Sequence, residues 1–134
     1  MNALSASASA ALFIFVVGCS SSDSPVDLPE CQGPVTVSVG SGTTPDISRT
    51  PRCVAGQVIV SASMNTGFVT FWVGTSVDST NSLRPPVRYG IPSNPDALPT
   101  QPLAAGGAYT AHVLRATGDS AAPFEAIGSM DFTP

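Results

Sequence analysis

Proline punctuates this chain too often for a helical protein. All 13 prolines lie beyond residue 24, and from Cys31 onward no stretch holds a helical apolar period for a useful length. Proline breaks helix interiors but is tolerated in turns and at sheet edges. The chain is therefore left with short strands joined by turns. Residues 35–39 (VTVSV) alternate strictly and put three valines on one face. Residues 46–50 form a shorter candidate, ended by Pro51. Residues 57–63 (QVIVSAS) form the continuous run that a buried strand shows, and 68–74 (FVTFWVG) have the strongest strand propensity. Residues 86–90 are short and proline-bounded, which suits an edge. Residues 109–115 alternate again, and 126–132 close the series.

Seven such runs over about 100 residues, separated by turn signals, predict an all-β chain folded as one immunoglobulin-like sandwich. The segment 103–113 (LAAGGAYTAHV) resembles the fibronectin type III pattern of Leu, turn glycine, Tyr and alternating apolar residues. That resemblance covers roughly residues 34–133. It implies that Tyr109 makes the tyrosine corner, its hydroxyl bonded to a nearby backbone group. Residues 42–51 resemble the entry to the second strand of such domains. Where many members carry a core tryptophan there, this chain has Arg49, and Trp72 on a later strand is the candidate for the missing bulk. The resemblance implies a fold and no activity.

Upstream of this domain the character changes. Residues 10–17 (AALFIFVV) are apolar, followed by Gly18, Cys19 and a serine-rich stretch. The run is too short to span a bilayer, which takes about 20 apolar residues, and it matches a secretory signal core of roughly 7–15. Val16, Val17, Gly18 and Cys19 resemble the lipobox of bacterial lipoproteins. The resemblance implies cleavage between Gly18 and Cys19, acylation of the Cys19 thiol, and attachment to the membrane through that lipid. It departs from the pattern in having no Lys or Arg before Ser9, which leaves the true start open. Each buried CH₂ contributes about 0.8 kcal/mol, so two or three chains hold firmly where one does not. Ser20 stands where an aspartate would favour inner-membrane retention, which favours the outer membrane in a Gram-negative cell. The expected organisation is a signal peptide over 1–18, a lipidated flexible tether over 19–30 and a sandwich over 31–134. Residues 20–30 are polar, acidic and proline-containing, a composition that cannot form a core.

With Cys19 taken by lipid, Cys31 and Cys53 remain. A cysteine pair in an exported protein reads as a disulfide. The metal alternative fails on donor count, since two cysteines and the distant His112 do not make a four-ligand zinc site.

Charge excludes one partner class. All 5 basic residues are dispersed arginines, against 9 acidic residues and a net charge of −4, and nucleic-acid binding needs clustered Lys or Arg. No reaction is legible. His112 is the lone histidine, a catalytic constellation needs partners for it, and with Tyr109 facing the core His112 falls on the opposite face. Residues 78–82 lack the alternating carboxylates of a calcium loop, and no phosphate-cradling glycine loop leads into a helix. No cofactor is called for. Alternation places Phe71 and Trp72 on opposite faces, so both cannot enter one core. Trp72, Arg88 and Tyr89 are the candidate contact residues for a protein or glycan partner, and the proline-rich segment 91–107 is the candidate contact loop; the rival and favoured reading is that this segment covers the aromatic ring, because so long a loop must lie on something. The expected function is a non-catalytic binding or structural module on the cell envelope. An accessory subunit of an envelope complex, marked by an unpaired strand edge, and a small secreted hydrolase are the alternatives.

Overall fold

The computed structural model describes residues 26–76, 80–91 and 100–134. Cys19, the signal segment, residues 20–25 of the tether and most of the 91–107 loop fall outside the described residues. Seven strands run in order: β1 (Thr36–Val39), β2 (Asp46–Thr50), β3 (Gln57–Met64), β4 (Gly67–Thr75), β5 (Val87–Arg88), β6 (Tyr109–Ala116) and β7 (Phe124–Phe132). They form two antiparallel sheets, β1-β2-β5 and β4-β3-β6-β7, packed face to face. This is the immunoglobulin-like sandwich expected from the strand count and spacing. Every predicted run became a strand, with ends displaced by a residue or two and the 86–90 run shortened to two residues.

The core follows from alternation. Val37, Ile47, Arg49 and Val87 point inward from the first sheet. Val58, Val60 and Ala62 of central strand β3 meet them, with Trp72 of β4 and Tyr109, Ala111 and Val113 of β6. Val35 and Val39 flank Val37 half-buried, so the three valines do share a face.

One local rule is broken, and it matters. Val60 pairs with Trp72 and Ser61 with Thr70, so Phe71 is an extra residue without a partner on β3. A bulge of this kind bends the strand and resets its alternation. Phe71 and Trp72 therefore both pack against the core, correcting the expectation that one of them must face away. The Phe71 ring meets Tyr109 edge-on at 5.1 Å, and the Trp72 ring meets Tyr89 at 5.4 Å. Gly74 makes room for the indole: a Cβ there would lie 2.6 Å from its ring.

Two links close the end of the sandwich at which β3 begins. Cys31 and Cys53 form a disulfide, and the chain just before it is held beside the chain after β2, with Cys31 N–H donating to Val54 and Val54 N–H to Pro29. Residues 26–30, expected as free tether, thus belong to the folded unit. Arg84 donates to the Val26 carbonyl and pairs with Asp27. Beside the disulfide, Arg49 is 1% exposed. Its Nε donates to the Cys53 carbonyl at 2.8 Å and its Nη2 to the Leu83 carbonyl. Burial pushes the guanidinium pKa down to about 10.

Two tests follow from this end of the molecule. The disulfide closes a sequence separation of 22, which stabilises by about 3 kcal/mol in the chain-entropy model. Replacing both cysteines by serine should lower Tm by roughly 15 °C, read by thermal unfolding. At Arg49, lysine keeps a strongly hydrated charge in the core and cannot fork to two carbonyls, whereas methionine removes the charge along with the donors. Arg49→Lys should therefore be less stable than Arg49→Met by about 1–3 kcal/mol in denaturant titration.

Candidate functional site

The residues singled out for chemistry are occupied structurally. The Tyr109 hydroxyl accepts the Ala104 N–H at 2.9 Å, five residues upstream. The turn before it is shaped around the ring, because a Cβ on Gly107 would fall 2.7 Å from the Tyr109 side chain. His112 sits on the outer face of the four-stranded sheet, half-buried, with Nε2 3.3 Å from the Ser61 hydroxyl. Its cross-strand neighbour on β7 is Ser129. Asp131, the nearest carboxylate along that strand, accepts instead from Thr110 at 2.7 Å. A nucleophile–base–acid chain is not assembled here. Among the described residues no group of three or more His, Cys, Asp or Glu side chains could hold a metal ion.

The three proposed contact residues separate. Trp72 and Tyr89 are each 2% exposed, so neither ring face is offered to a partner; this corrects the contact reading and agrees with the rival one, a ring covered by the long loop. Alternation along β5 carries Val87 and Tyr89 inward and Arg88 outward. The described end of the long loop covers the rings: Tyr89 donates its hydroxyl hydrogen to the Gln101 carbonyl, and Gln101 N–H reaches the Phe71 carbonyl at 3.4 Å. Arg88 alone is exposed. It lies opposite Asp46 in register and grips it with two bonds, at 2.8 and 3.0 Å. Those bonds hold the Asp46 carboxyl below the usual carboxylate range. Arg88 is thus already paired, which the sequence, without the β2–β5 register, could not reveal.

Of the five exposed large apolar side chains among the described residues, Val26 lies at the disulfide end and the other four toward the opposite end. The β3–β4 hairpin turns through Asn65 and Thr66 and presents Met64, 49% exposed, and Phe68, 78% exposed. Ile91 and Met130 are the other exposed large apolar side chains in this half of the sandwich. Ile91 follows the Tyr89–Pro45 contact at the start of β2, and Met130 lies near the end of β7. The disulfide and residues 26–30 occupy the opposite end, where β3 begins. Strand β3 spans the distance between the two, roughly 25 Å for its length. Sequence reasoning missed Met64 and Phe68 by reading 68–74 as a uniform strand. The Asn65–Thr66 turn just before Phe68 was the available signal for a hairpin tip.

Two shallow cavities flank these ends. One of about 330 Å³ lies at the hairpin end between Thr43, Thr44, Tyr89, Thr100 and Leu103. The other, about 240 Å³, lies along the disulfide between Pro29, Pro34, Pro51 and Arg52. Neither gathers convergent charged groups, as a catalytic cleft does.

Tyr89 supplies a pH test of this packing. Burial first, and the neighbouring Tyr109 second, push its pKa up from 10.0 to about 12. Between these values the unfolded chain releases the proton and the folded chain keeps it, so this group's contribution to stability falls as pH rises. Arg49 works in the opposite sense above pH 10, since there the folded chain releases its proton first. Tyr89→Phe should be less stable than wild type at pH 8, for want of the bond to Gln101, and the gap should narrow at pH 11 in parallel urea titrations.

No protein-family model matches the chain, and comparison with curated proteins and with solved structures finds no match to it.

Proposed function

We propose that this protein is a lipid-anchored binding module of the cell envelope, non-catalytic, that holds an apolar hairpin tip away from the membrane for a protein partner. The observation that carries the reading is the separation of the two ends. The chain leads back toward Cys19 from the disulfide end, while Met64 and Phe68 lie at the other. Single exposed apolar residues are ordinary on a protein surface. A phenylalanine 78% exposed beside an exposed methionine on one tight turn is the composition of a contact patch, since aromatic residues and Met are enriched at interfaces. The lipobox resemblance of Val16, Val17, Gly18 and Cys19 supports the anchor. Export in turn supports the disulfide, because such bonds persist in oxidising compartments.

The alternative of an accessory subunit of an envelope complex is marked by an unpaired apolar strand edge, and β4, at the edge of its sheet, keeps that reading in play. The hydrolase alternative finds no support in the His112 geometry.

The test combines the two ends. Intact-mass analysis should find the wild type beginning at Cys19 with acyl chains attached, and the Cys19→Ser protein without them. A photo-crosslinking residue at position 68 should give one discrete protein adduct in cells with the anchored form, and the same probe at Glu125, near the opposite end, should give none. An unlipidated wild type, or equal adducts from both positions, would sink the proposal.

A further inference from the structure

The β3–β4 hairpin has a property beyond its apolar tip. Residues 54–76 contain no charged residue and no proline, and β4 is the outermost strand of the four-stranded sheet. Natural edge strands are usually blunted by lysine, proline or inward charges, because their unpaired N–H and C=O groups would otherwise recruit another strand. The outer edges of the other strands are short or carry charge. Strand β5 has two residues, β1 has four, and β7 bears Glu125 and Asp131 and takes Val35 N–H on its Ile127 carbonyl at 2.9 Å.

The register says which groups of β4 face outward. The two-residue turn makes Met64 and Gly67 the hydrogen-bonded closing pair. Pair types then alternate, so Ser63↔Phe68 and Ser61↔Thr70 are non-hydrogen-bonded pairs, and Phe68 and Thr70 turn their N–H and C=O away from β3. Val69, between them, spends its own groups on Ala62. Both outward residues are exposed. The open stretch stops at the bulge, where the Phe71 carbonyl takes Gln101 N–H. Of the bonds among described residues, none uses the outward groups of Phe68 or Thr70.

We infer that the Phe68–Thr70 edge of β4 is a strand-addition site that takes an extended, uncharged segment of another protein. The inference rests on the binding-module reading and specifies the partner's chemistry. The edge supplies two N–H donors and two C=O acceptors, matched by the main chain of one added strand. On the outer face Phe68 calls for an apolar or β-branched side chain beside it, and a charged segment would find no counter-charge on this hairpin. A second copy is a poor occupant. The two-fold form of edge pairing runs β4 antiparallel to itself, which directs the two disulfide ends opposite ways, and two chains tethered to one membrane through that end cannot meet so.

Residue-resolved amide exchange on the full-length protein in detergent tests this, with a blocked hexapeptide alternating Val and Thr as the probe. Alone, Phe68 and Thr70 amides should exchange at least ~100-fold faster than Val69. Saturating peptide should slow both by ~10-fold or more and leave Val69 unchanged. Thr70→Pro removes one outward N–H without touching the β3 ladder; it should keep the wild-type Tm within a few degrees and abolish the protection at Phe68. The inference is overturned if Phe68 and Thr70 are as protected as Val69 in the free protein, or if millimolar peptide changes neither amide. It is equally overturned if protection without peptide grows with protein concentration, which would make a second copy the occupant. Any of these leaves the Cys19 lipid mass and the position-68 adduct untouched, so the two readings fail separately.

Discussion

Arg49 is the interaction on which the rest of this structure depends. A guanidinium 1% exposed with no carboxylate beside it among the described residues is an expensive core residue. It bonds the turn after β2, through Cys53, and the crossing segment after β4, through Leu83, reinforcing the backbone bridge between Ala55 and Leu83 that joins the same two segments. The disulfide grips that same turn from the other side by tying Cys53 to Cys31. One end of the sandwich is thereby closed with polar and covalent links in place of apolar mass. Arg49 Nη1 and Trp72 Nε1 are left buried without a partner among the described residues, the remaining cost of filling a small core with amphipathic side chains.

The opposite half is held by rings. The bulge at Phe71 lets two successive aromatic residues enter the core, one against Tyr109 and one against Tyr89. Tyr109 secures the turn before β6 through Ala104, and Tyr89 secures Gln101. Gly74 and Gly107 provide the clearances these rings need. Tyr109 also lies 5.8 Å from Phe132 at the end of β7, so one aromatic chain runs from the hairpin to the final strand. The same bulge ends the open part of the β4 edge, so the feature that completes the core also limits the surface available for pairing.

These closures make the hairpin tip the place where the molecule is chemically unfinished. Elsewhere among the described residues three ion pairs form, Arg84 with Asp27, Arg88 with Asp46 and Arg115 with Glu125. The uncharged hairpin meets no such neutralising contact.

The seven strands were legible because alternation and turn chemistry are local. Val58, Val60 and Ala62, or Tyr109, Ala111 and Val113, declare their face by spacing alone. The tyrosine turn could be read from a short pattern for the same reason, and the cysteine pairing could be read by setting Cys19 aside on its lipobox resemblance. What sequence could not supply was anything that depends on register. Whether Arg88 is free or gripped by Asp46 is set by the pairing of β2 with β5. Whether Phe71 and Trp72 share a face is set by one extra residue on β4, and a bulge leaves no mark on propensity. Whether Trp72 and Tyr89 meet a partner or lie under the long loop was open between two readings of the sequence, and the Gln101 segment lying on them decided it. The sequence by itself determined that the chain is a strand-built sandwich with a stapled entrance. Only tertiary structure decided which side chains are spent inside it and which edge is left unpaired, because those outcomes belong to contacts between residues far apart along the chain.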